Sequence, residues 1–102
     1  MDIFNARLAE VTNSGEYFVG FNETLKAMRK GMAKLVIIAD DTNVGMKAEI
    51  EKKAKSKKVE VLVFSGSMQE LGCACGKSFT VSCMTITDPL AAGTICSLVD
   101  GC

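Results

Sequence analysis

Apolar and polar residues alternate along this chain in blocks, and each block carries the period of one structural element. Ile3, Leu8 and Val11 interspersed with Asp2, Arg7 and Glu10 fit an amphipathic first helix, which Asn13-Ser14-Gly15 stops. Glu16-Tyr17-Phe18-Val19 reads as a short strand running into Gly20. A second helix is expected from Asn22 as N-cap, with Glu23 in the first turn, where the helix dipole favours an anion. Leu25, Met28 and Met32 fall on one face of it, and Gly31 lies near its end. Lys34-Leu35-Val36-Ile37-Ile38-Ala39 is a nearly continuous apolar run of strand length, the pattern of a central strand covered on both faces.

After the polar loop Asp40-Asp41-Thr42-Asn43, Met46, Ile50 and Ala54 repeat every four residues on a third helix whose other faces carry lysine. Val59, Val61 and Val63 alternate with Glu60 and Leu62, which predicts another strand. Ser67-Met68-Gln69-Glu70 has the form of a capping box and predicts a fourth helix ending near Gly76. Phe79 to Thr87 alternates again, and Asp88-Pro89 is expected to end that strand. The order is α, β, α, β, α, β, α, β, with no linker and no internal repeat, so residues 1–102 are expected to form a single α/β domain with helices layered on a sheet. The short Glu16–Val19 strand is expected to pair antiparallel, making the sheet mixed. Leu90 to Cys102 carries no motif.

Composition narrows the function. The chain has 102 residues, 48% hydrophobic and 24% charged, which is ordinary for one globular domain. No apolar run reaches the roughly 18 residues needed to span a bilayer. Met1 to Asn5 lacks the basic start of a signal peptide, so a soluble intracellular protein is the expectation. The five cysteines (Cys73, Cys75, Cys83, Cys96, Cys102) are odd in number and favour free thiols in a reducing compartment. Histidine is absent, which removes the commonest general base and metal ligand. The expectation is therefore no enzyme, no catalytic residues, no metal, no cofactor and no small-molecule substrate.

The formal net charge is zero but is unevenly spread. Residues 1–25 hold one arginine against four acids, net −3; residues 26–58 hold one arginine and nine lysines against four acids, net +6; residues 59–102 hold one lysine against four acids, net −3. Such a local patch attracts a polyanion even when the whole chain is neutral.

Four stretches could carry chemistry. In Gly20-Phe21-Asn22-Glu23-Thr24-Leu25-Lys26 the glycine permits a tight turn, the helix start offers unpaired N–H groups to an anion, and Asn22 can pair with a base edge. Lys26 lies one turn on for a phosphate, and Glu23 fits as an acceptor from a base amino or imino group. The plainer alternative is a capped helix with a surface lysine. The lysines 52, 53, 55, 57 and 58, with Arg29, Lys30 and Lys34 elsewhere, are either a phosphate-contacting surface or a solvated helix face. Cys73-x-Cys75 lacks the spacing of a zinc knuckle, and the cysteines are expected to be buried free thiols; a nucleophilic Cys75 would lack a base partner. In Gly76-Lys77-Ser78-Phe79-Thr80-Val81, Lys77 and Phe79 either offer a charge and a stacking surface to unpaired nucleotides, or Phe79 packs into the core.

These segments, taken together with Ala33 to Ala39, Lys47-Ala48-Glu49-Ile50-Glu51 and Glu70-Leu71-Gly72-x-Ala74-Cys75-Gly76-Lys77, closely resemble the ribosomal protein L30e family, part of the wider L7Ae group of kink-turn RNA binders. The resemblance runs from the first helix to Ile86-Thr87-Asp88-Pro89, and Ala74-Cys75-Gly76-Lys77 looks like the eukaryotic form. It implies a three-layer α-β-α sandwich with a four-stranded mixed sheet, and a structural place in the large ribosomal subunit, cytoplasmic and assembled in the nucleolus. The implied partners are a kink-turn internal loop of ribosomal RNA and neighbouring ribosomal proteins, with no membrane. Carried over by position, Gly20, Asn22 and Lys26 would contact the guanines and phosphates of the kinked loop, and Lys77, Phe79 and Val81 would face its flipped or unpaired nucleotides; Phe21, Glu23 and Arg29 are candidate RNA-binding residues beside them. Asn22-Glu23-Thr24 itself is similar to the archaeal L7Ae and small-nucleolar branch, so the alternative is a kink-turn subunit of an RNA-modification or RNA-processing ribonucleoprotein.

Overall fold

The apolar run at the middle of the sequence becomes the middle of the sheet. The computed structural model describes residues 8, 10, 11, 13, 17–64 and 66–97, with 91, 94, 96 and 97 described through their backbone alone. Strand β1 is Tyr17–Val19, helix α1 Phe21–Arg29, strand β2 Leu35–Ala39, helix α2 Val44–Lys57, strand β3 Glu60–Phe64, helix α3 Met68–Ala74, strand β4 Cys83–Ile86 and helix α4 Pro89–Ser97. The sheet order is β1-β4-β2-β3. β2 runs parallel to β3 and antiparallel to β4, and β1 pairs antiparallel with β4, so the sheet is mixed as expected.

All five residues of β2 are buried. Leu35, Ile37 and Ala39 face one core, shared with Leu8, Val11, Leu71, Ala92 and Ile95; Val36 and Ile38 face the other, shared with Ala27, Met28, Ile50 and Ala54. This alternation is the pleat itself, and it makes three layers: α1 and α2 on one face, α3, α4 and the N-terminal residues on the other. The expected first helix lies largely outside the described residues, although Leu8, Glu10, Val11 and Asn13 are helical. No helix among the described residues is long and apolar enough to cross a membrane.

Local signals fixed most boundaries. Asn43 Oδ1 accepts from the N–H groups of Gly45 (2.8 Å) and Met46 (3.4 Å), capping α2. The capping box forms in full: Glu70 N–H donates to Ser67 Oγ and Ser67 N–H to Glu70 Oε1, both at 3.1 Å.

Four expectations change. Asn22 is not the N-cap of α1; Gly20 holds that place and no side chain caps this end. Met32 lies beyond the end of α1 and is 42% exposed. β4 begins at Cys83 rather than Phe79, because residues 75–82 form a loop whose N–H groups bond back to α3 instead of to a neighbouring strand. The segment after Asp88 is a helix: Leu90 N–H donates to Asp88 Oδ1 (3.1 Å) and Ala92 N–H to Asp88 O (2.9 Å). Asp88-Pro89, read as a strand terminator, is equally an N-cap followed by proline at the first helical position.

Candidate nucleic-acid interface

The site grows from one glycine. Gly20 has φ 112° and ψ 158°, a conformation that side-chain-bearing residues avoid. Its N–H donates to Cys83 O (2.9 Å), extending the β1–β4 ladder, and its carbonyl accepts the first helical bond of α1 from Thr24 (3.0 Å). The chain thus passes from strand to helix in one residue. The N–H groups of Phe21, Asn22 and Glu23 precede that first helical bond and face outward with the positive end of the dipole. A Cβ on Gly20 would meet nothing within 4 Å, so the ground before the helix is open to a ligand.

Asn22, Lys26 and Arg29 follow at spacings of four and three, an exposed stripe about 10 Å long at 1.5 Å per residue. Glu23 Oε1 lies 3.8 Å from Lys26 Nζ, with both side chains about half exposed. An ion pair this exposed is weak and yields readily to a phosphate. Phe21 is half-buried against the α1–α2 core, so it positions the turn more than it presents a surface. The strand-to-helix turn expected from sequence is present, although glycine rather than asparagine stands at its N-cap.

The second loop is folded back on α3. Lys77 N–H donates to Gly72 O (2.8 Å) and Val81 N–H to Met68 O (3.0 Å). Between them Phe79 O lies so close over Gly72 that a Cβ there would collide with it. This packing leaves Phe79 58% exposed, settling the choice between core and surface in favour of the surface. Val81 is 1% exposed, so the expected contact through its side chain is corrected: it anchors the loop from beneath. The Lys77 ammonium sits 5.2 Å from the centroid of Tyr17, a cation–π contact that draws it along β1 away from Gly20. Tyr17 begins β1 and Gly20 follows its end, so the two loops meet through Gly20 and Cys83 rather than through Lys77.

Sequence reasoning missed a third contributor. The Asp40–Asn43 loop comes to the same end of the sheet, because Ser82 O accepts from Ala39 N–H and from Thr42 Oγ1, both at 2.9 Å. Lys47 Nζ donates to Asp40 O (2.7 Å), holding a second lysine beside this rim. The only signal was positional, since the loops that follow parallel strands gather at one sheet end.

The cysteines divide. Cys73 is exposed, against expectation, whereas Cys75 and Cys83 are buried. Cys75 Sγ lies 3.3 Å from Met84 Sδ. Burial raises the Cys75 pKa from 9.0 to about 11, with Lys77 pulling weakly the other way. Burial also raises the Cys83 pKa, opposed by the hydroxyls of Thr24 and Ser82. Raised pKa values are the reverse of what a nucleophilic or redox thiol needs. In native protein at pH 8, iodoacetamide is expected to label Cys73 while sparing Cys75 and Cys83, as read by peptide mass spectrometry. Above pH 9 the unfolded chain releases a Cys75 proton that the folded chain retains, so stability falls as pH rises from 9 to about 11. Among the described residues, no cluster of three His, Cys, Asp or Glu could hold a metal ion.

Residues 2–95 match the ribosomal protein L7Ae/L30e/S12e/Gadd45 family. The chain belongs to that family. Within it, the relatives compared are eukaryotic L30e proteins. The large ribosomal subunit protein eL30 of Branchiostoma belcheri is 49% identical over 89 residues, covering 87% of this chain and 78% of the relative. That of Spodoptera frugiperda is 47% identical over 89 residues, covering 87% and 79%. Among solved structures, a 15.5kD RNA binding protein of Giardia lamblia superposes with a TM-score of 0.77 at 25% identity, covering 95% of this chain and 87% of that one. A Bacillus halodurans protein of unknown function shares the L7Ae-type fold at a TM-score of 0.92 and 24% identity, covering 98% and 99%.

Proposed function

We propose that this L30e-family chain is a structural constituent of the large ribosomal subunit that binds a kink-turn in ribosomal RNA and performs no catalysis. The observation that carries the reading is the open, uncapped start of α1 at Gly20, with Asn22 and Lys26 on one exposed stripe, in a chain 49% identical to a protein named for the large subunit. In this reading the N–H groups after Gly20 and Asn22 engage base edges and phosphate, Glu23 accepts from a base, and Lys26 and Arg29 follow the backbone. Phe79 supplies a stacking surface to a splayed nucleotide. Lys77, held over Tyr17, adds charge at longer range. The protein assembles in the nucleolus and works in the cytoplasm beside neighbouring ribosomal proteins.

Fluorescence anisotropy at fixed salt with a kink-turn RNA tests the site. Asn22→Ala and Lys26→Ala are each expected to weaken binding about tenfold, the scale of one specific contact. Unchanged affinity in both variants would remove the site from α1. The Asn22-Glu23-Thr24 motif and the likeness to a 15.5kD RNA binding protein favour one second reading, a subunit of a small processing or modification particle. Sedimentation of the tagged protein separates the two: co-migration with large subunits supports the first, and co-migration only with small ribonucleoproteins supports the second.

A further inference from the structure

The lysine run singled out in the sequence plays no part in the rim just described, and the topology explains why. Both α1 and α2 start at the rim and run back over the same face of the sheet, so their C-terminal ends emerge together at the opposite end, where Leu35, Glu60 and Ile86 lie in register. Lys53, Lys55 and Lys57 occupy the last turns of α2, Lys58 is its C-cap, Lys30 is the C-cap of α1, and Lys34 immediately precedes β2. All six are exposed.

A structural reason exists for some of this charge, since cations favour helix C-termini. It does not account for six. Glu49 and Glu51 stand four residues before Lys53 and Lys55, the spacing of helical ion pairs, yet among the described residues none of the six lysines is ion-paired. The lysines that do pair, Lys26 and Lys47, belong to the rim half. Lys58 also sits in the left-handed region, φ 57° and ψ 44°, where glycine is the favoured residue. A strained cation is thus kept where an uncharged glycine would fold better. Among the described residues, the acids toward this end are Glu49, Glu51, Glu60 and Asp88, fewer than the six lysines.

We propose that this end is a second RNA contact, which holds the phosphate backbone of a helical RNA segment other than the one bound at the rim. Flexible ammonium groups give phosphate attraction without base readout. The fourteen residues of α2 separate the two ends by about 20 Å, beyond two Debye lengths at physiological salt, so each surface acts on its own segment. The two face opposite ways, and the domain clamps two RNA segments together. The choice of RNA as partner rests on the function proposed above; the existence of a separate basic surface does not.

The test uses the full chain, a kink-turn RNA with short stems, and a plain RNA duplex carrying a second fluorophore. Wild-type protein saturated with the kink-turn RNA is expected to capture the duplex with an affinity that falls steeply with salt. The combined variant Lys53→Gln, Lys55→Gln, Lys57→Gln, Lys58→Gly is expected to lose at least tenfold of duplex affinity and to flatten the logarithmic salt slope by about 3. Its affinity for the kink-turn RNA stays within twofold, and its melting temperature is not lowered, because Lys58→Gly relieves backbone strain. Duplex capture unchanged in the variant would overturn the proposal. So would displacement of the duplex by kink-turn RNA on the wild-type chain, or tighter binding of polyglutamate than of the duplex, which would mark an acidic protein partner. Wild-type protein that captures the duplex but not the kink-turn RNA supports this surface and overturns the rim assignment instead.

Discussion

Gly72→Ala is expected to lower stability by about 3 kcal/mol, the upper end of the range for forcing atoms into packed space. The added methyl would collide with a backbone carbonyl, that of Phe79, which cannot swing aside as a side chain can. Relief requires the loop to lift from α3. That breaks the Lys77 N–H bond to Gly72 O and strains the Val81 N–H bond to Met68 O, each worth about 1 kcal/mol. Val81, almost wholly buried, would be pulled from the core at the same time. For a domain of this size the melting temperature should fall by more than about 10 °C. Affinity for a kink-turn RNA should fall as well, since Phe79 is displaced. A shift below about 3 °C in differential scanning calorimetry would show that the loop does not rest on Gly72 as described.

Gly20→Ala is the complementary case, a conformational cost without a collision. The methyl meets no atom within 4 Å, but φ 112° with ψ 158° is essentially closed to alanine and costs about 1–3 kcal/mol. The chain can avoid that cost only by rotating the peptide, which sacrifices the Gly20 N–H bond to Cys83 O and re-aims the first turn of α1. The expected result is a modest loss of stability by urea unfolding, with a disproportionate loss of RNA affinity, greater than that of Asn22→Ala. Asparagine should not rescue, because this is not the left-handed helical region that asparagine tolerates. Equal affinity of Gly20→Ala and wild type would show that the helix start is not part of the interface.

The two glycines illustrate what could be read in advance. Gly20 announced itself by position, between a strand-like run and a polar helix start. Gly72 did not, since inside a helical pattern a glycine reads as tolerated, and its meaning depends on a carbonyl seven residues further on. The Asn22 expectation failed for a related reason. Asn22 is a good capping residue by type, but the bond from Gly20 to Cys83 starts the helix earlier, at Phe21. Cys83 is 63 positions away, beyond any local pattern. Asp88-Pro89 was ambiguous in a different way, because the residues that stop a strand also start a helix; the burial of Ala92 and Ile95 against the sheet decided for α4.

By itself the sequence determined the layered α/β class, the central strand Leu35–Ala39, the capping box at Ser67 and the charge segmentation, since each rests on near-neighbour periodicity or on one turn of hydrogen bonding. The rim and the far basic end were settled only by the tertiary structure. Which end of the sheet a loop occupies follows from strand direction and pairing partners, as when Ser82 O ties the loop after β2 to the residue before β4. The same pairing directed α1 and α2 alike, putting their starts at the rim and their lysine-rich ends at the opposite pole.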